Sequence, residues 1–288
     1  MPRVRPATPA SGPTHVPPHG ARWKVIREGI STTLIATIST VRGLSLLPSG
    51  SPGTPLRALC IAAFDTLHAI RRGKRLPTSE LRVLAALLDL GACANAAFDH
   101  KAGRRRESRG TPHLLEEAGI GPTVAEYLRR LGDLESVRPS PGGDRWHFQN
   151  VSSYREAVVR LSLGMIATAA CGDQCLDKAI VATYGCGDLN LLFRIAMQCQ
   201  IIDDVLDYPL DRSAGLPSFL TACKSLPQAL ELTRQATRGY AGDRRVARAA
   251  DVFPLRAALF LISTCTKLVV SLRRWECRPP RTVAREAT

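Results

Sequence analysis

The chain has 288 residues, with 39 lysines and arginines against 25 aspartates and glutamates, and a formal net charge of +14. Hydrophobic residues make up 45% and aromatic ones 5%, which allows a sizeable core and excludes a disordered chain, a collagen and a coiled-coil rod. The basic balance suits polyanions, whether nucleic acid, anionic lipid or phosphorylated small molecules. The longest charge-free apolar stretches, Leu161–Cys171 and Ala257–Thr266, fall short of the ~20 residues that a membrane span needs, so no span is expected and membrane contact is peripheral at most.

Residues 1–22 hold six prolines, three arginines and no acid, and read as a disordered basic tail. No apolar stretch typical of a signal peptide stands at the start, and the expected location is cytoplasmic. From Trp23 onward the pattern is helical, with no sustained two-residue alternation of β-branched side chains. Helices are expected over Trp23–Ser39, Thr54–Arg72, Ser79–Asp99, Pro112–Glu117, Val124–Leu134, Tyr154–Cys171, Cys175–Tyr184, Asp188–Tyr208, Ser225–Tyr240, Asp243–Ala250 and Pro254–Trp275. Ser153 followed by Glu156 has the capping-box pattern and is expected to open a helix. Breaks are expected at Leu47–Gly53, Arg138–Gly143 and Asp211–Pro217. The stretches 83–98, 158–171 and 189–206 are apolar nearly all round, as helices inside a large bundle are. The expected fold is therefore all-α, one large helical bundle over 23–276, followed by a basic C-terminal tail over 277–288. The nine cysteines form no CxxC pair and read as small buried thiols of a reducing compartment.

The segment Gln200-Ile-Ile-Asp-Asp-Val-Leu-Asp-Tyr-Pro-Leu-Asp-Arg212 carries the most chemistry. Asp203 and Asp207, four apart, project from one helix face, and Asp204 reaches the same space. Pro209 is expected to end the helix near Tyr208 and leave Asp211 in the loop beyond. Crowded carboxylates after an apolar helix are costly unless a cation joins them, which suits Mg²⁺, with Mn²⁺ as its substitute. The alternative is a solvated helix end with ordinary surface acids.

Gln200, Asp203, Asp204 and Asp207 resemble the second aspartate-rich motif of class I isoprenoid synthases. Gly215-Leu-Pro217 sits where that family has Gly-Lys-Pro, and Gly73-Lys-Arg75 resembles its diphosphate-gripping element. The family's first metal motif is matched only by Asn95-Ala-Ala-Phe-Asp99, an amide standing where an acid is usual, and Leu216 replaces the lysine. The chain is thus similar to a divergent branch, the class IB terpene synthases and moenomycin-type prenyltransferases. The resemblance implies a helical bundle around a central apolar cavity, and a homodimer. It implies catalytic roles for Asp99, Asp203, Asp207 and Gln200, and metal binding by Asn95, Asp99, Asp203, Asp204, Asp207 and Asp211. Lys74, Arg75, Lys101, Arg155, Arg212 and Lys267 become the candidate diphosphate donors, and Leu88, Ala92, Phe98, Met165, Phe193 and Met197 the candidate pocket lining.

The implied reaction is ionisation and cyclisation of a linear C15–C25 prenyl diphosphate. The alternative is coupling of an allylic diphosphate to isopentenyl diphosphate or another acceptor, which the Gly-Lys-Arg element favours. A non-catalytic family member is a third reading. A basic nucleic-acid-binding protein is a fourth, opposed by the spread of cations over tails and loops and by the few aromatics for base stacking.

Overall fold

The computed structural model describes residues 19–45, 54–99, 111–171, 175–185, 187–242 and 253–276. Every element among them is a helix: α1 (His19–Ser45), α2 (Thr54–Arg72), α3 (Thr78–Asp99), α4 (Thr111–Glu117), α5 (Gly121–Ser136), α6 (Arg145–Cys171), α7 (Leu176–Ala182), α8 (Asp188–Leu206), α9 (Tyr208–Ala214), α10 (Leu226–Ala241) and α11 (Phe253–Glu276). The all-α expectation is met. The expected break at 47–53, the expected helix Asp243–Ala250 and the C-terminal tail lie outside the described residues.

Two expected starts are corrected. Helix α1 begins at His19, inside the stretch read as a tail, and α6 begins at Arg145, so Ser153 and Glu156 lie in its interior. The capping-box pattern fails there because a neighbouring segment supports the turns upstream. The loop after α5 lies along the loop before α10, where the Gly142 N–H donates to Thr221 O and the Gly143 N–H to Ala222 O, both at 2.9 Å, and the Lys224 N–H returns to Gly143 O at 3.1 Å. Phe148 and Val151 are buried beyond it, the Phe148 ring 5.8 Å from that of Phe219.

The core is built on α6 and α8. Helix α6 contacts α3, α5, α7 and α8, and α8 contacts α10 and α11 as well. Gly164 lets α6 pack tightly on α7, because a Cβ there would meet Ile180 Cγ1 at 2.7 Å. Helix α10 runs antiparallel to α8, with Gln198 Nε2 donating to Thr237 O at 2.8 Å and Arg194 Nε to Tyr240 O at 2.7 Å. Helix α11 runs parallel to α8, with the Thr266 hydroxyl donating to Gln198 O at 3.3 Å and the Arg273 guanidinium over the Tyr208 ring.

The expected burial holds for 158–170 and for most of 189–205, but Leu206 is exposed and much of 83–98 is too. Leu84, Ala86 and Leu87 are buried, whereas Ala92, Cys93, Asn95, Ala96, Ala97 and Phe98 are exposed. Most of these are small, so each leaves little apolar area in water and exposure costs little at about 25 cal/mol per Å². By length and composition, α3 and α11 are also apolar enough to cross a membrane, which the count of charge-free residues did not anticipate.

A buried ion cluster joins α1, α2 and the start of α3. The Asp65 side chain is fully buried and accepts from Ser39 Oγ at 2.7 Å, Arg42 Nη1 at 2.9 Å, Arg75 Nη1 at 3.0 Å and the Leu76 N–H at 2.9 Å. Removing one partner of such a cluster strands the others. Asp65→Ala is expected to destabilise the fold by about 3 kcal/mol, read from the urea midpoint and slope; a loss below about 1 kcal/mol would show the cluster to be dispensable.

Candidate functional site: an acidic stripe at the α8–α9 junction

Helix α8 ends at Leu206, two residues from the expected end, but a second helix starts at once. Asp207 closes α8 and opens α9, and Pro209 sits in the first turn of α9, where a missing N–H costs nothing. The ladder runs through the junction, with Asp207 N–H donating to Asp203 O at 2.8 Å and Asp211 N–H to Asp207 O at 2.9 Å. Asp211 is therefore helical rather than in a loop, and Asp203, Asp207 and Asp211 form a stripe at four-residue spacing. Gly215, at φ 67°, ends α9 in the left-handed conformation, with Leu216 N–H donating to Asp211 O at 2.9 Å.

Asp204 is turned into the core, near enough to Asp211 for its charge to act on that carboxyl. It continues the core stripe of Met197 and Ile201 and is only 2% exposed. Its Oδ1 accepts from Gln200 Nε2 at 2.7 Å and Arg155 Nη2 at 3.3 Å, and its Oδ2 from the Phe219 N–H at 2.7 Å. Burial raises its proton affinity, while Arg155, the Phe219 amide and Gln200 pull it back. Both oxygens are occupied, so Asp204 is an anchor and not an open ligand. Gln200 and Arg155 serve the same anchor.

The stripe itself is reachable. Asp203 and Asp207 are exposed and Asp211 is half-buried. Partial burial and the charges of Asp207 and Asp204 raise Asp203 above the usual carboxylate range. Partial burial and the nearby Asp204 charge push Asp211 up to about 6, against a hydrogen bond with Ser218. Arg212 Nη1 donates to Tyr208 Oη at 3.2 Å, so it adjoins the stripe while engaged with a ring of its own helix.

Asp99, at the end of α3, connects to this region through a polar chain. It pairs with Arg138, which also approaches Glu135 Oε2 at 3.3 Å and lies 5.9 Å from the Tyr154 ring centroid. Tyr154 Oη donates to Glu135 Oε1 at 2.5 Å, and Arg155 is the next residue. Asn95 is exposed one turn before Asp99. Arg138, Glu135 and Tyr154 were not singled out in the sequence; Arg138 lies in a stretch read only as a break, and nothing local signals its reach.

Lys74 and Arg75 do not join the acids. They precede α3 while Asp99 ends it, and 22 helical residues at 1.5 Å each separate the two ends by about 33 Å. The Arg71–Asp188 ion pair at 2.8 Å puts the start of α8 at that same far end. Arg75 is engaged with Asp65, and Lys74 borders a 380 Å³ cavity with His68, Pro77 and Glu80. Lys267 is exposed on α11, next to the Thr266 contact with Gln198, and Lys101 lies outside the described residues. Of the expected pocket residues, Met165, Met197 and Phe193 are buried in the core, Leu88 is half-buried, and Ala92 and Phe98 are exposed. Met197 has no exposed surface at all, so no water-sized space adjoins it.

Among the described residues, no group of three or more His, Cys, Asp or Glu side chains is gathered as a metal would require. The available donors are nonetheless carboxylate oxygens on a reachable stripe, the type Mg²⁺ takes, and Mg²⁺ uses one or two of them together with water and phosphate. The donor type therefore suits Mg²⁺ at Asp203 and Asp207, one helical turn apart, and not at Asp204. Comparison of the chain with protein-family models, curated proteins and solved structures finds no match.

Two measurements test these assignments. Asp204→Ala is expected to lower stability by about 3 kcal/mol because it strands Arg155, whereas Asp203→Asn leaves stability within about 0.5 kcal/mol; equal losses would refute the anchor role. A raised Asp211 holds its proton more tightly when folded, so this group's contribution to stability falls as pH rises from about 4 to about 6. Asp211→Asn should flatten that part of the denaturation profile and leave the protein more stable than wild type at pH 7; a profile as steep as wild type would disprove the shift.

Proposed function

We propose that the protein is a Mg²⁺-dependent class I terpene synthase that ionises a linear prenyl diphosphate and cyclises it. The observation that carries this reading is the reachable stripe of Asp203, Asp207 and Asp211 at the end of an apolar helix, at the same end of the bundle as Asp99. A bound Mg²⁺ would neutralise the negative charge that grows on a departing diphosphate. Asp203 and Asp207 would hold it, with Asp211 one turn further along. Asp204, Gln200 and Arg155 would keep the stripe in register, since they fix the last turns of α8 against α6 and the loop before α10. Arg212 adjoins the acids and is the best-placed diphosphate donor. The reading requires the packed side chains at Met165, Phe193 and Met197 to part when a prenyl chain enters, because a carbocation needs a dry apolar lining.

The distance of Lys74 and Arg75 from the acids favours cyclisation over coupling. Coupling to isopentenyl diphosphate would need a second diphosphate grip beside the first, and these two cations are about a helix length away. The deciding experiment incubates the full chain with farnesyl, geranylgeranyl and longer diphosphates, with Mg²⁺ or with chelator, and measures diphosphate release and products by mass spectrometry. A cyclic or eliminated product from one diphosphate, lost with chelator and reduced at least ~100-fold in Asp203→Asn/Asp207→Asn, is the expected result. A product that forms only with isopentenyl diphosphate would replace cyclisation by coupling. No turnover of any prenyl diphosphate would defeat both.

A further inference from the structure

The catalytic reading leaves the outer face of α11 unused. Its inner face is built into the bundle, with Leu255, Leu259, Ser263, Thr266 and Val270 buried. On the outside, Leu261, Cys265, Leu268, Leu272 and Trp275 recur at spacings of four, three, four and three residues and so form one stripe. The stripe faces solvent, with Leu261 64%, Leu268 60% and Trp275 72% exposed. Helix α1 touches α11 and carries exposed Leu34, Ile38 and Val41 at helical spacing.

The charge around these side chains is mainly basic. No acid occurs from residue 252 to 275 or from 29 to 64, while α11 carries Arg256, Lys267, Arg273 and Arg274, of which Arg273 pairs with Glu276 and Arg274 with Glu231 of α10. Residues 253–288 hold seven cations against two acids. We propose that the outer face of α11, with the exposed residues of α1, docks on an anionic lipid bilayer and lies in the headgroup plane. Leucines and a tryptophan on one face, with cations alongside, are what an interfacial helix presents to lipid. Docking rather than spanning follows from the inner face. Thr266 is hydrogen-bonded to Gln198 O and five side chains are packed, and a span would strip these contacts away. Charge also disfavours a second copy as the occupant, because two such faces would bring like charges together with few acids to pair them.

This inference does not rest on the catalytic reading, since binding is measured without substrate. The full chain is sedimented with vesicles of phosphatidylcholine alone or of phosphatidylcholine with phosphatidylglycerol, at about 0.1 M salt and again at about 1 M. Binding is expected only to the anionic vesicles and to weaken at high salt. Leu261→Ser/Leu268→Ser should lower partitioning at least ~tenfold, with helix content and melting midpoint retained. Independently of that variant, the wild-type tryptophan emission should shift to the blue on anionic vesicles and Trp275→Phe should remove most of the shift. Wild-type protein that stays in the supernatant with both vesicles overturns the proposal. So does a two-chain mass in solution that the double serine variant reduces to one, which would assign the face to a second copy.

Discussion

Asp204 is the side chain on which the order of the acidic region depends. A carboxylate this deeply buried is tolerated only when donors meet it, and here they come from three places: Gln200 one turn back, Arg155 of α6 and the amide of Phe219 in the loop before α10. Satisfying that one group fixes the end of α8 against two other segments. Because adjacent helix positions point about 100° apart, burying Asp204 turns Asp203 outward, and the bend at Asp207 leaves that side chain exposed too. The anchor and the reachable stripe are two consequences of one helix register.

A second buried aspartate does related work at the other end of the bundle. Asp65 draws in Arg42 and Arg75 and closes the junction of α1, α2 and α3. The bundle is thus tied at both ends by a buried carboxylate with cationic partners. This explains why Arg75, in a segment that resembles a diphosphate grip, is turned inward. Two carboxylates fix the ends, and the lengths of α3 and α8 set the distance between them.

Much of the helical plan was legible in the residues. The boundaries of α2 and the end of α3 follow from apolar periodicity and turn residues, and the core character of α8 from its unbroken apolar run. The segment after Pro209 was misread because a proline that closes one helix can also open the next, and local sequence does not say which. Ser153 and Glu156 were misread because a capping pattern describes a start only if no neighbour supports the turns before it. The loop pairing of Gly142 and Gly143 with residues about eighty positions away supplies that support. The outward face of α3 was misread because apolar composition records what a helix can bury, not whether another element covers it.

Within the candidate site, the shared face of Asp203 and Asp207 was readable, whereas the local pattern pointed to Asp204 as a further ligand and to Asp211 as a loop residue. What could not be read was the division of labour among them. The sequence by itself determined an all-helical chain, the buried course of α8 and a concentration of acids at its end, because these depend on neighbours three and four residues apart. Only the tertiary structure decided that Asp204 is consumed as an anchor, that Asp99 reaches the region through Arg138 and Tyr154, and that Lys74 and Arg75 lie at the far end. Each of those outcomes depends on which segments meet across long separations in the chain, and such meetings follow from the packing of the whole bundle rather than from any local pattern.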